Sequence, residues 1–166
     1  MSVLKKVVKE VIPYILIVIF VIFIKTYIVT PIRVNGPSMN DTLHNKDIML
    51  LDEISYKFND IKRFDIVVLK YEDEYIIKRV VGLPGEELEV KDNRLYINGK
   101  IVKQDFNHAE TKDIEKVIVE ENCYYVLGDN RINSVDSRII GSVNKNRIKG
   151  KAIFTIYPFN RFGKKD

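Results

Sequence analysis

Cysteine is almost missing from this chain: Cys123 is the only one among 166 residues. An internal disulfide is thereby excluded, and the redox compartment is left undecided. Between Glu121-Asn122 and Tyr124-Tyr125, Cys123 reads as a buried structural thiol at the start of a strand. Histidine is nearly as scarce, with only His44 and His108. There is no His-Glu-x-x-His pair and no cysteine cluster, so metal catalysis has no ligand set, and no cofactor is expected. Zinc-finger spacing, a recognition-helix pattern and RNA-binding aromatic motifs are absent too, which argues against nucleic acid as a partner. The net charge is only +4. Much of it sits in Lys5, Lys6 and Lys9 at one end and Arg161, Lys164 and Lys165 at the other, flanks better suited to anionic lipid. No internal repeat or low-complexity tract occurs.

What the chain does have is one long apolar run. Val11 to Ile24 carries no charge, and apolar character resumes at Tyr27-Ile28-Val29 after Lys25 and Thr26. As helix, the uncharged part covers about 21 Å, short of a hydrocarbon core of about 30 Å. Extension to Val29 gives about 28 Å, with Lys25 snorkelling to the interface. Pro13 falls close enough to the start to be tolerated in a first turn. No small-x-small cleavage site follows, so a retained single-pass anchor is expected rather than a removed leader. The division expected is a basic cytoplasmic N-terminus at 1–10, a transmembrane anchor at 11–29 and an extracytoplasmic catalytic domain at 30–166. The charge bias that orients the segment is slight. Removing the anchor leaves roughly 135 residues, enough for a single core but not two domains.

Beyond the anchor the pattern is β-rich. Residues 47–51, 65–71, 75–81, 87–90, 94–97, 101–102, 117–119, 124–127 and 152–157 are short β-prone runs separated by turn signals. Asp92-Asn93 and Asn98-Gly99 are hairpin turns, the second a strong type I′ dipeptide. Residues 103–116 are polar and read as an exposed loop or a small excursion from the sheet. No helical period persists over three turns after the anchor.

Ser38 lies in Val34-Asn35-Gly36-Pro37-Ser38-Met39, and Lys78 lies forty positions on, flanked by Ile76, Ile77, Val80 and Val81. A serine hydroxyl needs a base to become a nucleophile. Gly36 allows close backbone approach and Pro37 stiffens the entry, so the Ser38 amide can face a developing oxyanion. A lysine that turns inward loses charge on burial and can take the serine proton. The alternating strand leaves open which face Lys78 occupies. His44 or His108 with Asp129 or Asp136 would be the competing base system, but both histidines sit in polar, loop-like sequence. A third constellation is the dense polar tract Leu127-Gly128-Asp129-Asn130-Arg131 through Ser134, Asp136 and Arg138 to Gly141. It is either a solvated turn or a polar network beside a site. The anchor ends close to Ser38: the nine-residue step from Val29 to Ser38 reaches about 30 Å at most, so the candidate nucleophile works near the membrane.

Three blocks carry a resemblance to the bacterial type I signal peptidases, in the short single-anchor form of Gram-positive bacteria. They are Gly36-Pro37-Ser38-Met39 with Thr42-Leu43, then Lys78 to Glu86, then Gly128-Asp129-Asn130-Arg131 with Asn133-Ser134, Asp136-Ser137-Arg138 and Gly141. The resemblance covers nearly the whole chain in order. It implies a mainly β, signal-peptidase-like catalytic domain preceded by one transmembrane helix. It implies that Ser38 is the acylated nucleophile and Lys78 its general base. Ser134 would hydrogen-bond and orient the lysine, while Arg79 with Asp129, and Asp136 with Arg138, would form supporting ion pairs. The implied substrates are preprotein signal peptides with small residues at the first and third positions before the cut. The lipid bilayer and the secretory translocation machinery are the other implied partners. Departures from the family pattern are Gly36 where many relatives have a serine that aids the oxyanion hole, Asp41 for a common proline, and Lys46 and Phe64 for common glycines. The rival readings are a catalytically silent membrane-anchored β-domain that binds exported chains, and a self-cleaving serine-lysine regulator, whose usual DNA-binding module is replaced here by the apolar run.

Overall fold

The structure is a computed structural model that describes residues 3–27 and 29–165, with side chains at 7–21 and 30–165. The side chains of Lys5, Lys6 and Lys25 lie outside the described residues. Helix α1 spans Val3–Tyr27, and Val29 instead opens strand β1, Val29–Arg33. The apolar run is thus divided two residues before its expected end. β-branched Val29 and Thr30, the latter directly before Pro31, disfavour helix and favour extended backbone. Every described side chain from Val7 to Val21 is exposed. Among the described residues no helix is long and apolar enough to cross a membrane.

The rest of the chain is antiparallel β structure. In order come β2 (Ile48–Asp52), β3 (Ile66–Tyr71), β4 (Glu74–Gly82), β5 (Glu87–Lys91), β6 (Arg94–Ile97) and β7 (Lys100–Val102). Then follow β8 (Ile114–Ile118), β9 (Cys123–Leu127), β10 (Val143–Asn144), β11 (Ile148–Tyr157) and β12 (Gly163–Lys164). The main sheet runs β1-β2-β11-β3-β4-β9-β10 with β12 on β11, and a smaller sheet runs β7-β6-β5-β8. Both expected hairpin turns form, with positive φ at Asp92, Asn93, Asn98 and Gly99, the signature of type I′. The short helices Ser55–Phe58 (α2) and Ser137–Ile140 (α3) have no counterpart in the sequence reading; each is one turn long, too short for a helical period to register.

The stretch 103–116 departs from the expected exposed loop. Ile114 to Lys116 belong to edge strand β8, whose pattern is masked because Glu115 and Lys116 face solvent. Residues 106–111 lie against the polar tract that follows β9: Ala109 N–H donates to the Asp129 carbonyl at 2.9 Å, and Thr111 is buried.

Two features of this framework locate the site. Strand β4 pairs with β3 from Glu74 to Arg79, but with β9 only from Arg79 to Gly82. The sheet therefore opens at Lys78, where β9 has already ended at Leu127. Met39 and Leu43, just after Ser38, are buried in a core with Val34, Met49, Leu51, Ile66 and Val68. Burial of large apolar side chains on both sides of a turn fixes the backbone between them. We expect Leu43→Ala, at a fully buried position, to cost about 2–5 kcal/mol. A chemical denaturation midpoint equal to that of the unaltered protein would contradict this packing account.

Candidate active site

Ser38 sits in a tight turn that follows β1. Gly36 has φ +86°, a left-handed conformation that L-residues with a side chain adopt only at a cost, and its N–H donates to Asn45 Oδ1 at 3.2 Å. Asn40 N–H closes the turn on the Pro37 carbonyl at 3.1 Å. The Ser38 carbonyl accepts from Asn130 N–H at 3.0 Å, and the Pro37 carbonyl accepts from Asn130 Nδ2 at 3.2 Å. The turn is thereby tied to the tract after β9. The Ser38 amide has no acceptor among the described residues, which leaves it free to face an oxyanion.

Lys78 turns inward, the alternative that the strand pattern left open. Its Nζ lies 2.8 Å from Ser38 Oγ and 3.0 Å from the Ile77 carbonyl oxygen. The residue is 2% exposed. Burial pulls its pKa down to about 8, against the pull of Asp136 and then Asp129 toward the charged form. Desolvation penalises the ammonium more than two carboxylates at some distance favour it. Neither His44 nor His108 hydrogen-bonds Ser38: His108 Nδ1 contacts the Ala109 carbonyl at 2.9 Å, and His44 Nδ1 is buried without a hydrogen-bond partner.

Both ion pairs implied by the resemblance are present. Arg79 and Asp129 have fully buried side chains and form a two-pronged pair, Nη2 to Oδ2 at 2.8 Å and Nε to Oδ1 at 3.0 Å. Thr42 Oγ1 donates to Asp129 Oδ2 at 2.6 Å, and Arg79 Nη1 donates to the Phe64 carbonyl at 3.0 Å. The Phe106 ring lies 3.9 Å from the Arg79 guanidinium carbon. Removal of one partner from such a dry pair typically costs about 3–5 kcal/mol, since it strands the other charge. Asp136 pairs with Arg138 through Nη2 at 2.7 Å and Nε at 2.8 Å, and accepts from the Gly128 amide at 3.0 Å. Burial raises the Asp136 pKa, but Arg138 and the Gly128 amide outweigh it and hold the carboxyl below its usual range. Asp136 also caps α3 by accepting from Arg138 N–H.

Ser134 is brought to the site but not to the expected bond. Its Oγ is buried beside Asp136, close enough to help keep that carboxylate ionised, yet it makes no hydrogen bond of good geometry and none to Lys78. Lys46 and Phe64, where many relatives carry glycine, have φ of +73° and +70°. The turns keep the left-handed conformation, at about 1–2 kcal/mol each for a residue with a Cβ. Phe64 sits edge-on to Phe106 at 5.2 Å between ring centres, so its side chain returns packing against the Arg79 stack.

Sequence reasoning missed Phe106 and Thr111, and it placed Asn130 and Arg131 in the polar tract without giving either a role. Arg131 is buried and donates to the Gly128 carbonyl at 3.0 Å, to Gln104 Oε1 at 2.9 Å and to Thr111 Oγ1. The signal in the sequence was Phe106, a large aromatic residue inside a mostly polar stretch.

Gly128 is the tightest point. A Cβ there would lie 2.5 Å from the Ser38 carbonyl oxygen and inside contact distance of Ser134, so the nucleophile turn would have to move. Gly128→Ala is expected to lower kcat by about 100-fold, the scale of a displacement near 1 Å, in single-turnover cleavage assays. Retention of full kcat would contradict the geometry.

Comparison with known proteins shows the family. Residues 4–157 match the family model described as "Signal peptidase, peptidase S26". The chain is 40% identical over 161 residues to Signal peptidase I S of Bacillus subtilis (strain 168), covering 89% of this chain and 87% of that one. It is 36% identical over 162 residues to a Signal peptidase I of Bacillus amyloliquefaciens, covering 90% and 88%. A crystal structure of a signal peptidase I from Enterococcus faecalis V583 superposes with a TM-score of 0.51 at 33% identity, over 56% of this chain and 97% of that one. With its β-rich fold, the family-model match over most of its length and these relatives, the chain belongs to the signal peptidases of the peptidase S26 family.

Proposed function

We propose that this protein is a serine endopeptidase that cleaves N-terminal signal peptides from exported preproteins, with Ser38 as nucleophile and Lys78 as general base. The observation that carries the reading is the 2.8 Å contact between Lys78 Nζ and Ser38 Oγ inside a site where the lysine is dry. A neutral Lys78 amine takes the Ser38 proton as Oγ attacks the scissile carbonyl carbon. The oxyanion that develops meets the free Ser38 amide; Gly36 offers no hydroxyl to help. The Lys78 ammonium then gives its proton to the leaving amine, and the acyl-enzyme remains. Water attacks the ester with Lys78 again as base, and the proton returns to Ser38 Oγ as the acid product departs. Arg79, Asp129, Asp136 and Arg138 hold the Gly128 turn behind the dyad, and Ser134 packs beside it.

Small residues at the first and third positions before the cut fit substrate that pairs as an extended strand along the open β4 edge, where shallow pockets select small side chains. The apolar run beginning at Val11 serves as a single-pass anchor, with the N-terminus cytoplasmic and the catalytic domain extracytoplasmic. The unbroken exposure of apolar side chains on α1 supports it, because a helix apolar all round belongs in a protein core or a bilayer. Exported preproteins, the bilayer and the translocation machinery are then the partners. A catalytically silent binding domain is disfavoured, because burial of an amine against a serine serves no binding purpose.

Ser38→Ala and Lys78→Ala are each expected to reduce preprotein cleavage by at least about 1,000-fold while the protein still folds and inserts. Full activity in either variant would rule out the dyad. Activity requires the uncharged amine, so kcat/KM is expected to fall as pH drops below about 8, the pKa to which burial lowers Lys78, and to level off above it. A profile flat from acid to neutral pH would contradict the assignment.

A further inference from the structure

The polar tract after β9 carries three apolar side chains that point outward. Ile132 is 85% exposed, Ile139 70% and Val135 45%. Exposed large apolar groups grouped beside a reactive centre mark a contact surface more often than chance does. Ile132 and Ile139 line a groove of about 400 Å³ with Arg131, Ser134 and Arg138, and with Glu110 and Lys112 on the neighbouring segment; Val135 follows Ser134 in the chain. The groove adjoins the dyad, because Gly128 separates Ser134 from the Ser38 carbonyl by less than the room a Cβ needs.

Proton transfer decides which part of the substrate meets it. The proton taken from Ser38 must reach the leaving nitrogen, so that nitrogen comes to Lys78 Nζ. Nζ lies at the end of the open β4 edge, within the influence of Asp136 and Asp129 of the tract. The acyl part of the substrate occupies the strand edge, and the chain beyond the nitrogen has to leave over the tract. We propose that this groove, with Ile132, Val135 and Ile139, receives the first few residues of the mature chain, those after the cut, and prefers apolar side chains there. The proposal rests on the signal-peptidase reading. Two of the groove's charges are already engaged: Arg138 is committed to Asp136, and Arg131 is buried and turned to the Gly128 carbonyl, Gln104 and Thr111, which leaves Glu110 and Lys112, of opposite sign. Selection is therefore by apolar fit.

The test uses the full-length protein in lipid vesicles and preprotein substrates identical except at the second to fourth positions after the cut, leucine in one set and serine in the other. The leucine set is expected to be cleaved with kcat/KM about tenfold higher, the scale for one apolar side chain in a pocket. Ile132→Asp and Ile139→Asp are expected to erase that preference, whereas Ile118→Asp, an equally exposed isoleucine on the smaller sheet, keeps it. A preference that survives both substitutions, or one that follows residues before the cut instead, overturns the proposal. Acylation of the unaltered protein by a small serine-directed reagent is measured alongside. Failure of that acylation would bring down the dyad itself, and with it this surface, whereas acylation without downstream preference would bring down the surface alone.

Discussion

An amine withdrawn from water is the constraint around which this molecule is organised. Lys78 is 2% exposed, and burial of an ammonium without close counter-charges is expensive enough to pull its pKa down to about 8, so that a usable share of the amine is uncharged near neutral pH. The fold sets the balance by distance. Asp129 and Asp136 are near enough to oppose the shift but are each committed to an arginine, Arg79 and Arg138. Were either carboxylate free, it would pair with Lys78 and hold it charged. The ion pairs are thus part of how the lysine's pKa stays low, as well as what holds the turn behind it.

The same parts also hold the nucleophile. Asn130 binds the carbonyls of Pro37 and Ser38, while Met39 and Leu43 bury the other side of the turn. Gly128 lets the two segments approach closely enough for this, and its amide is bound by Asp136. Strand β9 stops at Leu127 opposite Arg79, so one residue of β4 is locked in the sheet and the preceding one is released to the site. Alternation along a single strand separates the structural arginine from the reactive lysine.

Much of this was legible in the residues. The strands from β2 to β7, and β9, were marked by β-branched runs and by Asx-Gly-type turns, because antiparallel hairpins write both signals locally. Ser38, Lys78 and the two acid–arginine pairs were visible through resemblance. Composition and spacing left the face of Lys78 undecided, since that depends on where β9 ends. The segment 103–116 was misread because its solvent-facing charges hide an edge strand and its buried members, Phe106 and Thr111, obey no period. Its role depends on contacts with residues far along the chain, Arg79 and Arg131, which no local pattern records. The bond expected from Ser134 to Lys78 came from resemblance alone and is not made here, where the hydroxyl lies beside Asp136.

The most direct test is the ionisation of the Lys78 amine itself. In full-length protein in micelles, with lysine side-chain nitrogens labelled, a nitrogen NMR titration should show one lysine, lost on Lys78→Met substitution, that titrates near pH 8. Titration of that nitrogen with the other lysines, above pH 10, would leave fewer than about one amine in a thousand uncharged at neutral pH, against about one in ten for a pKa near 8, and the base assignment would fail.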